Sequence, residues 1–256
     1  MTKFAMCLLA ATALHSVANA QPMFGVGGFQ PFTAQTLHQV NPATGATTAI
    51  GSTGLAEIAG LSFDASTSRL MALTVAGDIY SINPATGAAT VSVIGTTTVP
   101  EGALAFRSGI AYTTIFDDLH VLAGNSWVSV GASGASSFDI SGLTFGAGGT
   151  LFGVASNGSN ADTLLSFNTT TGAATVLSTL SGVNVRLTGD LAYDNLGGLL
   201  YLTDGVGLYT IDTASGAATL VGAHTATGFS GLAIIPTPAS GLMMLGGVIA
   251  IGRRRR

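Results

Sequence analysis

The sequence predicts an all-β fold, a five-bladed β-propeller of four-stranded blades closed by pairing the N-terminal and C-terminal strands in one blade. Three observations predict it. A short phrase recurs, as TLHQVNPATGATTAIG from Thr36, DIYSINPATGAATVSVIG from Asp78, TLLSFNTTTGAATVLS from Thr163 and LYTIDTASGAATLVG from Leu208. Its opening strand-like runs, at Leu37, Ile79, Leu119, Leu164 and Leu208, are spaced by 42, 40, 45 and 44 residues, the period of a four-stranded blade. Four strand types each occur five times, and the count closes only when a run near the N-terminus joins one near the C-terminus.

The first type reads GLSFD from Gly60, ALAFR from Ala103, GLTFG from Gly142, DLAYD from Asp190 and GLAII from Gly231. The second reads RLMALTV from Arg69, GIAYTT from Gly109, TLFGVAS from Thr150 and GLLYLTD from Gly198, with MFGVGG from Met23 as the fifth. Residues 231–235 therefore run into residues 23–28 as one blade, and such closure removes open sheet edges. The recurrent phrase supplies the third and fourth types. Blades are covered on both faces by their neighbours, so their strands are apolar or small on both sides without strict alternation. Asn41–Gly45 and Asn83–Gly87 spell NPATG, with Pro early in a turn and Gly where φ turns positive. The alternatives are another blade count or an open arrangement, a β-sandwich, or a parallel β-helix, whose coils are usually shorter than these units.

Composition agrees with a folded, turn-rich body. Glycine is abundant at 36 of 256 residues, charged residues make up 8%, and the 47% apolar content exceeds that of disordered chains. Of the 8 basic residues, Lys3 and Arg253, Arg254, Arg255 and Arg256 sit at the extreme ends. That leaves Arg69, Arg107 and Arg186 against 12 acidic residues. A body so acidic has no electrostatic footprint for nucleic acid. The one cysteine, Cys7, precedes the predicted body, which therefore folds without a disulfide.

Residues 1–20, MTKFAMCLLAATALHSVANA, have the three parts of a secretory signal. Lys3 is the positive start, Phe4 to Leu14 the apolar stretch, and Ala18 and Ala20 the small residues recognised by signal peptidase. At the other end, IPTPASGLMMLGGVIAIGRRRR places Pro236 and Pro238 before an apolar run, Ala239 to Gly252, closed by Arg253 to Arg256. This order resembles the PEP-CTERM sorting signal of exopolysaccharide-producing Gram-negative bacteria. The resemblance covers residues 236–256. It implies passage through the inner membrane, processing by an exosortase-like enzyme near the prolines, and delivery to the cell surface or beyond. Thr237 stands where that family usually has Glu, and the run is shorter than the roughly 20 residues of a comfortable span. The LYxIDxxTGAAT phrasing is similar to repeats of exported propeller proteins in the same bacteria. The chain thus divides into a leader (1–20), a propeller (21–235) and a sorting tail (236–256).

Loops entering the first strand type are expected to line one mouth of the propeller. They carry Glu57, Glu101, Asp139, Arg186, Asp190 and His224. Glu57, Glu101 and Asp139 are the candidate catalytic carboxylates, since glycoside cleavage uses one acid and one base or nucleophile. The competing reading is a solvated rim. Glu57 and Asp139 each lie three residues before the Gly of their strand, whereas Glu101 is out of register. The stretch from Asn157 to Asp162 lacks the closing Glu of a calcium loop, and Asp117, Asp118 and His120 lack a zinc pattern. His38 and His120 share a repeat position with Tyr80 and Tyr209, which predicts a packing slot. Trp127, in a predicted outer strand, reads as a core aromatic or as a sugar-stacking platform. No cofactor is expected, since the GVGGFQ at Gly25 is followed by no helix and is not a dinucleotide fingerprint. The expected function is a non-catalytic binding or structural module at the cell surface or in the matrix, associated with exopolysaccharide. The alternative is a secreted glycoside hydrolase.

Overall fold

The computed structural model describes residues 21–30, 32–100, 102–134, 139–156, 162–185 and 189–237. Twenty strands form five four-stranded antiparallel sheets, the count that four strand types in five copies require. The first blade consists of β20 (Gly231–Ile234), β1 (Met23–Gly27), β2 (Thr36–Val40) and β3 (Thr47–Ser52). The second is β4 (Ile58–Asp64), β5 (Arg69–Thr74), β6 (Ile79–Ile82) and β7 (Ala89–Val93). The third is β8 (Ala105–Arg107), β9 (Ile110–Ile115), β10 (Asp118–Ala123) and β11 (Ser126–Gly131). In the fourth, β12 (Asp139–Phe145) and β13 (Leu151–Ser156) precede β14 (Thr163–Phe167) and β15 (Ala174–Thr179). The fifth holds β16 (Asp190–Asp194), β17 (Leu199–Thr203), β18 (Gly207–Ile211) and β19 (Ala218–Ala223).

The first-named strand of each blade is innermost. These five, β20, β4, β8, β12 and β16, pack on one another in that cyclic order around the axis. Successive strands alternate in direction, so two faces follow. Inner strands begin on an entry face, which also carries the turns between second and third strands. They end on an exit face, where the first turn of each blade lies. In the first blade no turn joins the two inner strands, since β20 pairs antiparallel with β1 (Met23 opposite Ile234) and the Ile235 N–H donates to the Pro22 carbonyl at 2.9 Å.

Apolar side chains fill the spaces between blades in five buried clusters. The TG of the repeat has an inter-blade role. Gly87 has φ 81°, and a Cβ there would sit 2.5 Å from the carbonyl oxygen of Gly51 in the preceding blade. Gly45 meets Gly222, and Gly172 meets Gly131, in the same way at two other seams. The third blade has only Gly124-Asn125 at this turn. There the Asn125 carbonyl accepts the Thr96 N–H (3.0 Å), and buried Trp127 donates its Nε1–H to the Gly77 carbonyl of the second blade (3.0 Å). Trp127 is therefore a blade-to-blade clasp, and its burial excludes a sugar platform.

The closing seam has its own plug. Phe229, fully buried in the loop before β20, occupies the space left by Gly25 and Gly27, where added Cβ atoms would approach its ring to 2.5 and 3.2 Å. Its loop is tied across the seam by hydrogen bonds from Gly28 N–H to Thr227 O and from Ser230 N–H to Val26 O, both 3.0 Å. Buried Gln35 donates to the Ser230 hydroxyl (2.8 Å), which donates to the Ile58 carbonyl (2.6 Å). The Ile58 N–H returns to Gln35 Oε1, closing a ring that joins the first two blades.

Candidate functional site

Register places Gly60, Ala103, Gly142, Asp190 and Gly231 at one level of the five inner strands, each followed by Leu. Small residues are needed there because the strands converge. A Cβ on Gly60 would lie 2.6 Å from the Leu104 nitrogen. Asp190 is the exception, and it is fully buried. Its carboxylate accepts N–H groups from Leu191 (2.8 Å), Leu232 (2.8 Å) and Leu61 (3.4 Å), and also from Leu143. One side chain thus gathers the inward backbone donors of four blades. Burial pushes its carboxyl well above the usual carboxylate range, against the pull of those four N–H groups. The sequence placed Asp190 on the rim. It is instead the plug of the axis.

Beyond the Leu layer, toward the exit face, the residues two after each Leu form a collar of Phe63, Phe106, Phe145, Tyr193 and Ile234. The collar surrounds a cup of about 140 Å³ that Ser62, Thr144, Asn195 and Pro236 also line. Tyr112 meets Phe145 edge-on at 5.5 Å, and Phe152 stacks on Tyr193 at 6.4 Å. The Arg107 guanidinium lies 5.5 Å above Phe145 while donating to the Gly149 carbonyl at 2.9 Å. Small-molecule sites usually enclose about 300–1,000 Å³, so the cup suits an edge or end of a ligand and not an enveloped substrate.

Sequence-predicted residues divide as follows. Glu57 precedes β4 and Asp139 opens β12 on the entry face, at equivalent positions of the second and fourth blades, with the third blade between them. Glu101, Arg186, residues 157–161, Ala18, Ala20, Pro238 and the four terminal arginines lie outside the described residues. Pro236 and Thr237 continue from β20 on the exit face. Buried Asp162 accepts the Val185 N–H, and Asp118 Oδ1 accepts that of Ser133 at 3.0 Å. Among the described residues no three His, Cys, Asp or Glu side chains come together as a metal set, and no helix is long and apolar enough to cross a membrane.

His38, Tyr80, His120, Leu165 and Tyr209 occupy one register position of the third strands, each just after a bulge. His224 is not on the rim either. Its Nε2 bonds the Thr203 hydroxyl (3.0 Å) and its Nδ1 the Gly45 carbonyl (2.9 Å). His38 and His224 both face Phe229, with ring centroids 5.3 and 4.4 Å away. Burial, reinforced by nearby His224, holds the His38 pKa below its ordinary value. Burial also lowers that of His224, against the Gly45 carbonyl, Asp204 and Gly207.

The two faces differ in charge. On the entry side lie Glu57, Asp78, Asp117, Asp118, Asp139, Asp162 and Asp204, with no basic residue among those described. The exit side holds Asp64, Asp194 and Asp212 with Arg69 and Arg107. A chain of a solved nidogen/laminin complex is similar to this one with a TM-score of 0.57 and 12% identity, covering 84% of this chain and 98% of that one. The chain is a β-propeller. At such identity the likeness concerns the propeller fold alone. A structural-genomics protein of unknown function from Bacteroides thetaiotaomicron is similar over 76% of this chain and 57% of its own, with 15% identity and a TM-score of 0.48. No protein-family model and no curated protein matches the chain.

Proposed function

We propose that the protein is an exported propeller that acts at the cell surface or in the matrix as a non-catalytic binding or structural module. In this reading a signal peptidase removes residues 1–20, and the apolar run from Ala239 holds the chain in the inner membrane until an exosortase-like enzyme acts near Pro236 and Pro238. One observation carries it. Among the described residues, all twenty strands lie between Met23 and Ile234, and they close the propeller without either segment that the sequence reads as a processing signal. Removing both leaves every blade complete. The exit-face cup, walled by aromatic rings and too small to envelop a substrate, supports contact with the edge or end of a polysaccharide.

The test is mass spectrometry of the protein from its native host together with a glycan-array screen of the released form. The expected result is an N-terminus at Gln21, a C-terminus near the prolines, and glycan binding without hydrolysis. Recovery of the exported protein with Arg256 intact refutes the sorting step. Hydrolysis of a glycan that is abolished by Glu57→Gln with Asp139→Asn refutes the non-catalytic reading.

A further inference from the structure

We infer that, while its tail is in the membrane, the propeller lies with its exit face against the lipid surface and its acidic entry face directed away. The inference rests on the anchoring reading above and adds an orientation to it. Two independent observations carry it, the path of the chain and the distribution of charge.

The first is the path of the chain. β20 ends at Ile234 on the exit face, and the apolar run begins at Ala239, three residues after Pro236. Ile235 is the last residue tied to the blade, through its N–H to the Pro22 carbonyl, and the four residues from it to Ala239 extend at most about 14 Å. The body is more than that in height, since the five residues of β17 alone rise about 17 Å. So short a tether lets the exit face touch the headgroups and keeps the entry face out of reach.

The second is charge. The exit side nearly balances, with Asp64, Asp194 and Asp212 against Arg69 and Arg107, whereas the described entry side is acidic throughout. Near an anionic bilayer this separation turns the entry face outward. Apolar exposure does not separate the two faces. Leu196 and Leu199, in and after the first turn of the fifth blade, are 69% and 43% exposed, and Ile110 at the equivalent turn of the third blade is 45% exposed. Phe32, Phe116 and Val206 are exposed at turns of the entry face. The tether denies them the bilayer, which leaves them with the outward surface.

The test labels opposite ends of one blade. In the full chain with Cys7→Ser, single variants Leu196→Cys and Val206→Cys receive a fluorophore and enter liposomes of phosphatidylcholine and phosphatidylglycerol carrying headgroup nitroxides. Flotation that is lost on deletion of residues 239–256 reports anchoring by the tail. The expected result is co-flotation, with quenching of the label at position 196 several-fold stronger than at position 206. Co-flotation with equal quenching, or with position 206 quenched more, overturns the orientation and leaves anchoring intact. Absence of flotation overturns anchoring, and the orientation with it.

Discussion

Two glycine-to-alanine changes separate the cost of a turn from the cost of parting two blades. Gly124 and Gly87 both lie in turns between third and fourth strands, with φ of 65° and 81°. A Cβ on Gly124 meets nothing within 4 Å, whereas one on Gly87 meets the Gly51 carbonyl oxygen at 2.5 Å. Both variants bear the left-handed backbone cost of about 1–2 kcal/mol, equivalent to a fall in Tm of about 2–8 °C for a domain of this size. Gly87→Ala also forces the rims of the first two blades apart, an overpacking cost of about 1–3 kcal/mol. Its fall in Tm is therefore about 4–20 °C. Thermal melts followed by far-UV circular dichroism, with the same protein and buffer, measure both. Equal falls for the two variants would refute the argument that the repeated TG is an inter-blade contact.

Asp190→Gly gives the fifth blade the residue of three sister blades but strips the acceptor from the Leu61, Leu143, Leu191 and Leu232 N–H groups. Each donor left dry costs about 1–3 kcal/mol, so the melt falls markedly and added formate restores part of the loss. An unchanged melt would show that the axis does not need its carboxylate. Acid weakens the closing seam. The pKa values of His38 and His224 are depressed by folding, so the folded state binds fewer protons, and their contribution is full above about pH 6.5 and lost as pH falls below it. Urea titrations at a series of pH values should show stability falling on that side, with a shallower slope in His38→Leu, which carries the residue of the fourth blade. Identical slopes would remove His38 from the explanation.

The period and the four strand types made the blade count and its closure legible, because a propeller repeats its local pattern at fixed spacing. Equivalence of Glu57 with Asp139, and of His38 with His120, followed from the same register. The axis was harder to see. Asp190 sits just after a loop and resembles any rim carboxylate. What marks it is the company of Gly60, Ala103, Gly142 and Gly231 at the same level, a sign that the strands crowd there. Phe63, Phe106, Phe145 and Tyr193 were visible as a recurring fourth letter, but which side of the strand faces the axis depends on how the blades stack. Phe229 had no local signal at all. Its partners Gly25 and Gly27 are distant in sequence, and only ring closure makes the glycines and the phenylalanine complementary.

That closure sets the order of events in making the protein. β1 is the first strand of the propeller to be made, yet its edge stays bare until Gly231–Ile234, the last, is available to pair with it. An incomplete chain keeps an unpaired strand that proteases and other chains can reach. Sealing of the ring therefore waits for the last strand of the propeller, and the first blade stays open to other chains until all the other blades have been made.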